Sequence, residues 1–512
     1  MKPVANRRAT TVTRIATGIL VAGAFSASIA HAASFQYRHP IMGMVASPTA
    51  QAKQAATEIL VALTSGPTLP AGEVNWPYSY DLKQLLSVTG DPSYNASNVS
   101  WELQSGALPA GLSLGTDGVL SGIPTTKDTV GSSFQVKATY KTKSGQQAYT
   151  IVVNGAVLRV TKIVAGYNHT CAVTTTGGVK CWGANGQGQL GNNSTANSAL
   201  PTDVSGLSSG VSDVSAGYDF TCALTTVGGV MCWGNNTYGN LGDGSTTQKL
   251  VPIAVSGLSG VASLSSRNHH SCVVTSTGGA KCWGSNGNGQ LGANYPNNSS
   301  TPVAVTGLAS GVSTITVGNE HSCAVTSAGG AKCWGGNSYG QLGKDSTVTS
   351  SSPTPVDVYS LTSGAASISA GAYHTCAVTT AGGAKCWGLN NNGQLGIGST
   401  SSTWVPTAVS GRDSGVSSLA VGDTHSCLIT ATGTAMCWGV NSQGQLGNNS
   451  TTRNLTPVAV TGLTSGIRQL TGGSSHTCAI TDSGPLCWGR NREGQLGNGS
   501  TTDTKVPVAV TP

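Results

Sequence analysis

The stretch HTCAVTTTGGVKCWGANGQGQLG, His169 to Gly191, decides the fold, because its pattern returns six more times before the C-terminus. The first cysteine of each copy stands at Cys171, Cys222, Cys272, Cys323, Cys376, Cys427 and Cys478, at intervals of 51, 50, 51, 53, 51 and 51 residues. So regular a period marks a solenoid, a propeller or an array. Within the stretch, Cys171–Thr174 and Val179–Trp182 flank the turn Thr175-Thr176-Gly177-Gly178, which is a glycine-containing hairpin signal. A third strand precedes the hairpin, as in Ile163–Gly166 and Val211–Gly217. A fourth follows each long polar loop, as in Pro201–Val204, Val251–Val255, Pro302–Val305, Pro355–Val358 and Val506–Val510. Four short strands in about 50 residues, with no helix-period segment between them, predict one propeller blade per repeat.

Side chains alternate across a strand, so Cys171 and Val173 share one face and Ala172 takes the other. In the partner strand, Val179 and Cys181 share a face and Trp182 lies opposite. Trp182, Trp233, Trp283, Trp334, Trp387, Trp438 and Trp488 all follow the second cysteine of their repeat, which predicts packing between blades. Six cysteine pairs have nine intervening residues, and Cys478 to Cys487 has eight. Opposed residues of an antiparallel pair have Cβ atoms ~4.5–5.5 Å apart, near enough for a disulfide after slight adjustment. The expected bridges are Cys171–Cys181, Cys222–Cys232, Cys272–Cys282, Cys323–Cys333, Cys376–Cys386, Cys427–Cys437 and Cys478–Cys487. A zinc site is the rival use of these residues, since His169, His270, His321, His374, His425 and His476 each precede a cysteine by two. The second repeat answers it, because Phe220 replaces the histidine while Cys222 and Cys232 persist. The histidines are therefore read as structural hydrogen-bonding groups, with no metal.

Outward from the repeats, residues 1–32 carry Lys2, Arg7, Arg8 and Arg14, an apolar run from Ile15 to Ile29, and Ala30-His31-Ala32, an A-x-A cleavage site. This is a secretory signal peptide, so the mature chain is expected to start near Ala33 and to be secreted or held at the cell surface or in the periplasm. Its removal leaves 22 basic and 19 acidic residues, a charge of +3, which does not suggest nucleic acid as a partner. Charged residues form 9% of the chain while glycine contributes 71 residues, as suits a neutral, turn-rich β protein. Residues 33–63 read as a linker or docking segment, with a short helix over Gln51–Leu63 as one conformation. Residues 64–155 read as a cysteine-free β-sandwich, with strands at Val99–Leu103, Val119–Leu120, Phe134–Tyr140 and Tyr149–Val153.

Two resemblances follow. Leu108-Pro109-Ala110-Gly111-Leu112-Ser113-Leu114 with Asp117-Gly118-Val119-Leu120-Ser121-Gly122-Ile123-Pro124-Thr125 is similar to the immunoglobulin-like modules of bacterial surface proteins. Ala-Gly-x-x-His-Thr-Cys-Ala-Val, Gly-Gly-Val and Trp-Gly-x-Asn-x-x-Gly-Gln-Leu-Gly, over residues 156–512, resemble the regulator of chromosome condensation repeat family. The implied fold is all-β: a small immunoglobulin-like β-sandwich before a seven-bladed β-propeller. Calcium is not expected of the sandwich, because Asp81, Asp91, Asp117 and Asp128 are scattered.

The functional expectation is a non-enzyme without cofactor. Gly186–Gly191 imitates the dinucleotide fingerprint, and Gly111–Gly115 and Gly206–Gly210 imitate the hydrolase nucleophile turn, but no helix follows any of them. Guanine nucleotide exchange is implied by the family label, yet an export signal separates the chain from that partner. The fold also admits an inhibitor of the beta-lactamase-inhibitor type, or a carbohydrate-active enzyme with carboxylates in the central channel. The main reading is a secreted bacterial scaffold that binds a protein or cell-surface ligand. The pairs ahead of each repeat histidine vary on a fixed frame, and among them Tyr167, Tyr218 and Tyr373 are the candidate anchors.

Overall fold

The computed structural model describes residues 58–66 and 68–512, so residues 1–32, with the expected signal peptide, and the segment 33–57 lie outside the described residues. The sandwich is built from a four-stranded sheet, in the order Gly72–Glu73, Lys143–Asn154, Asp128–Tyr140 and Val99–Gly106, and a three-stranded one of Tyr78–Asp81, Val119–Gly122 and Leu112–Leu114. Trp101, Leu120, Phe134, Val136, Tyr149 and Ile151 fill the space between them. Leu60–Leu63 corrects the helical expectation for its segment: it is a strand, paired antiparallel with Leu86–Thr89. Val61 and Val88 meet in that register and Val61 is buried, so apolar alternation serves the sandwich better there than a lone helical turn does. Strand structure of the sandwich thus begins inside the segment read as linker.

From Val160 to Ala509 the chain forms seven four-stranded antiparallel sheets, each made from one contiguous run. The first takes Val160–Ala165, His169–Thr174, Val179–Gly183 and Ser198–Asp203 in spatial order. Blades therefore coincide with sequence repeats. The hairpin register sets Cys171 opposite Cys181, and the same opposition recurs in every blade. All fourteen cysteines are bonded within their own hairpins, with Cα atoms 4.0–4.1 Å apart. Gly177 closes the first hairpin at φ +79°, a conformation that a side chain strains.

Two faces of each blade meet two different neighbours. Cys171, Val173, Val179 and Cys181 pack against Ala223 and Trp233 of the second blade. Ala172 and Trp182 pack against Cys478, Ile480 and Cys487 of the seventh, which closes the ring with the same apolar joint used elsewhere. Leu158, Val160 and Val510 join that closing cluster, so the two ends of the propeller meet there. Every outermost strand carries a proline: Pro201, Pro252, Pro302, Pro355, Pro406, Pro457 and Pro507.

Sandwich and propeller meet through Glu73, whose carboxylate accepts from the Val157 backbone N–H and pairs with Arg159. The Arg159 guanidinium also covers the Trp76 ring at 4.1 Å from its centroid. Among the described residues, no helix is long and apolar enough to cross a membrane.

Candidate functional site

The repeat histidines are spent inside the ring. His169 Nε2 lies 2.9 Å from Thr221 Oγ1 of the next blade, and that hydroxyl donates to the Gln189 carbonyl at 2.9 Å. A hydroxyl has one proton, so with it committed to the carbonyl the imidazole is the donor and carries its hydrogen on Nε2. The same relay runs from His270 to Ser322, His321 to Thr375, His374 to Ser426, His425 to Thr477 and, across the closing joint, His476 to Thr170. Each receiving blade's tryptophan donates to the same carbonyl, as Trp233 Nε1 does to Gln189 at 2.8 Å. Burial pushes His169 down to about 3 and holds all six rings neutral. The cysteines are in disulfides and the histidines face hydroxyls, so neither set is arranged as metal ligands.

A glycine three residues before five of the six histidines leaves room for the ring; a Cβ on Gly166 would overlap His169. The third repeat breaks this rule with Arg267. There the inner strand continues through Arg267, which pairs with His270 across the turn Asn268-His269, with Asn268 at φ +45°. The freed side chain crosses the ring. Its Nη2 donates to Asp423 Oδ1 of the sixth blade at 2.8 Å and its Nε to the same oxygen at 3.2 Å. Its Nη1 donates to the carbonyls of Val421 at 2.9 Å and Ala370 at 3.2 Å. Arg267 lines both the mouth of the channel, with Tyr167 and Tyr218, and a deeper chamber of about 180 Å³. Hydroxyls of that chamber, such as Ser265 and Thr316, accept backbone N–H groups of the next blade, from Val317 and Ala370. Among the described residues, the channel lining holds one carboxylate, that of Asp423, and it is bound to Arg267.

The candidate tyrosines emerge where the inner strand turns into the hairpin, and the Trp-Gly-x-Asn loop emerges at the same end. His169 opposes Gly183, and the Ala184 N–H donates to the Asn168 carbonyl at 2.9 Å. Tyr167 and Tyr218 stack at 4.0 Å between centroids and 25° between planes. Tyr218 continues to His269 at 5.5 Å, and His269 to Tyr238 at 4.9 Å. A second group pairs Tyr373 with Tyr339 at 5.4 Å. Tyr218, Tyr238 and Tyr339 are 39–43% exposed. The structure thus joins Tyr167 to Tyr218 and sets Tyr373 in a separate group. Tyr238, Tyr339 and His269 are rim aromatics that the sequence reading passed over. Tyr238 and Tyr339 hold the residue before the glycine of Trp-Gly-x-Asn-x-x-Gly, where the other repeats have Gln187, Asn288, Asn392, Gln443 and Glu493, and that variability was the available signal. Trp404 lies in the outer strand Thr403–Ala408, edge-on to Tyr359 at 5.2 Å. Its β-favouring neighbours Thr403 and Val405 and its contact with the bare Gly340 backbone explain that placement.

Carboxylates stand among these rings. Burial raises Asp219 to about 6, and its Oδ1 is buried without a hydrogen-bond partner. The Tyr373 hydroxyl is raised first by burial and next by the charge of Glu320, with Tyr339 and Asp423 adding.

Comparison with known proteins agrees with this geometry. The regulator of chromosome condensation (RCC1) repeat model matches residues 176–224, 228–274, 281–325, 333–378, 386–429, 432–480 and 486–512. The He_PIG Ig-domain model matches residues 60–154. The ultraviolet-B receptor UVR8 of Arabidopsis thaliana is 30% identical over 292 residues, 57% of this chain and 55% of the receptor. The E3 ubiquitin-protein ligase HERC2 of Homo sapiens is 30% identical over 330 residues, 64% of this chain and 6% of the ligase. The chain thus spans about half the length of the first and a small part of the second. Prp20p of Saccharomyces cerevisiae, solved in a study of its binding to Gsp1p and histones, superposes with a TM-score of 0.58 at 21% identity, covering 69% of this chain and 88% of its own. Human WBSCR16 gives 0.57 at 22% identity, with 65% and 88% covered. With seven repeats, one per blade, matched over more than half its length, the chain belongs to the regulator of chromosome condensation repeat family.

Proposed function

We propose that this chain is a secreted bacterial binding protein, without enzymatic activity, whose propeller docks a protein or cell-surface ligand on the rim that carries Tyr167, Tyr218 and Tyr373. The observation that carries the reading is the concentration of partly exposed aromatic rings on that rim, set by variable residues on an invariant disulfide and tryptophan frame. Tyrosine buries a large ring with little entropy loss and keeps a hydroxyl for bonding, which is why it recurs among interface anchors. Two further features support it. Asp423, the carboxylate lining the channel among the described residues, is engaged by Arg267 rather than set beside a second carboxylate. Seven buried disulfides suit an oxidising compartment, as export would supply.

Capture from secreted and envelope fractions with the purified protein identifies the ligand, and titration with the triple variant Tyr167→Ala, Tyr218→Ala, Tyr373→Ala tests the rim. We expect a loss of ~2 kcal/mol or more, about thirtyfold in Kd, with the melting temperature unchanged. Unchanged affinity removes this rim from the proposal.

A further inference from the structure

We infer that the rim mouth recognises an arginine side chain presented by the protein that docks there, by stacking its guanidinium on tyrosine and pairing it with Asp219 or Glu320. This deepens the proposed function and rests on it.

The mouth already holds one guanidinium. Arg267 reaches across the ring and is gripped by a carboxylate and two backbone carbonyls, all supplied by the fifth and sixth blades. Four donor contacts use all but one of the five N–H bonds that a guanidinium offers. The grip is therefore nearly complete, and Arg267 has little left to neutralise the carboxylates on either side of it. Those two are Asp219, next to Tyr218, and Glu320, near Tyr373. Neither takes part in an ion pair among the described residues, whereas Asp423 does. Asp219 adds the sharper sign, because its half-buried carboxyl is held by Asn235 and one of its oxygens has no hydrogen-bond partner. A carboxylate in that state is unfavourable in the free protein and becomes favourable when a cation arrives with hydrogen bonds of its own.

The rings choose between cations. Tyr218 and Tyr373 each stand within the field of a neighbouring carboxylate and of Asp423. Electron-rich faces beside carboxylates attract a cation from two directions. A planar guanidinium stacks on the ring while its edge forks to the carboxylate, and a lysine ammonium does only one of these well. Among the described residues, Arg267 is the single basic side chain lining the mouth. Other arginines near this rim are Arg453 of the sixth blade, which donates to the Asn391 carbonyl at 3.5 Å, and, in the seventh blade, Arg490, paired with Glu493 at 2.8 Å, and Arg492 in the same loop. Among the described residues, the acid beside the tyrosines, Asp219 and Glu320, is thus hydrogen-bonded to neutral groups and outside any ion pair.

The test uses fluorescein-labelled tetra-arginine, tetra-lysine and tetra-glutamate peptides against the full mature chain, read by anisotropy at low and physiological salt. Expected are binding of tetra-arginine at least fivefold tighter than tetra-lysine, no binding of tetra-glutamate, and at least tenfold weaker tetra-arginine binding by the double variant Asp219→Asn, Glu320→Gln. Tyr218→Ala is expected to remove the preference for arginine over lysine. Equal affinity of the double variant, equal affinity for the two basic peptides, or no binding of tetra-arginine overturns the inference. If the double variant unfolds, each single variant is titrated instead, with retention of the melting temperature as the condition for use. The natural ligand separates the two readings. Should the triple tyrosine variant lose it while the double carboxylate variant keeps it, the rim stands and the arginine inference falls; should the triple variant keep it, the rim itself falls.

Discussion

In the sandwich, Trp101, Phe134, Tyr140 and Tyr149 gather in one cluster, whereas in the propeller every inter-blade cluster holds one tryptophan and one blade's disulfide. One unit thus draws its stability from a central core with partners far apart in sequence. The other spreads its stability over seven joints, each supplied by two neighbouring repeats. The sandwich has neither cysteine nor histidine; the propeller holds all fourteen cysteines and the six relay histidines. The difference teaches that the repeat unit is not a small domain but half of two interfaces, and that covalent and polar fastenings appear where no shared core exists.

Reduction is the strongest way to break this comparison. Each bridge closes a loop of about ten residues, for which chain entropy gives roughly 2.5–3 kcal/mol as an upper, model-dependent figure. Reduced in denaturant and returned to buffer, the chain is expected to lose the propeller's calorimetric transition and keep the sandwich's. Equal loss of both would show that the two units share one fold unit.

Acid comes next. Burial depresses the six relay histidines, to about 3 for His169, His270, His321 and His476 and about 4 for His425, while unfolded histidine titrates near 6.5. A depressed folded value favours the neutral form, so this contribution is full above pH ~6.5 and is lost as pH falls toward 3. Each histidine that takes up a proton only on unfolding adds about 1.4 kcal/mol per pH unit to the slope. Asp219, raised to about 6, opposes this: its contribution is full below ~3.9 and is lost as pH rises through 6. One group against six leaves acid destabilising. Between pH 6.5 and 4 the propeller transition should fall steeply while the sandwich transition moves little, and His321→Phe, copying the natural Phe220, should flatten the slope.

The smallest effect is at the junction. Arg159→Ala removes the pair with Glu73 and the cover of Trp76, an exchange worth about 1 kcal/mol for a partly exposed pair. The two transitions should draw apart by a few degrees without either being abolished. Movement of both by equal amounts would mean that Arg159 stabilises something other than the junction.

Much of this was legible because repetition turns one local reading into seven. The spacing of Cys171 and Cys181 was enough to set them opposite, and the side opposite Cys181 was enough to send Trp182 into the neighbouring blade. Leu60–Leu63 escaped because a short apolar run suits a helical turn and an edge strand alike, and Val88, which decides it, lies 27 residues away. Arg267 stands where the other six repeats have glycine, and that exception was visible in the sequence. Its partner was not, for Asp423 is 156 residues distant and reaches it only when the ring closes. The tyrosines of the hairpin entry were visible, but Tyr238 and Tyr339 required knowing that two separate loops surface at the same end of the blade.

The prolines of the outer strands bear on how these molecules live beside one another. A ring has no edge around its circumference in the sense of a missing neighbour, yet each blade still presents its last strand to the outside, and seven such strands on one particle would be seven templates for a foreign chain. An imino nitrogen carries no hydrogen to offer, so Pro201 and its six counterparts interrupt every one of these rows of donors. Rings concentrated on a surface can therefore crowd shoulder to shoulder and remain separate particles, each with its rim still free.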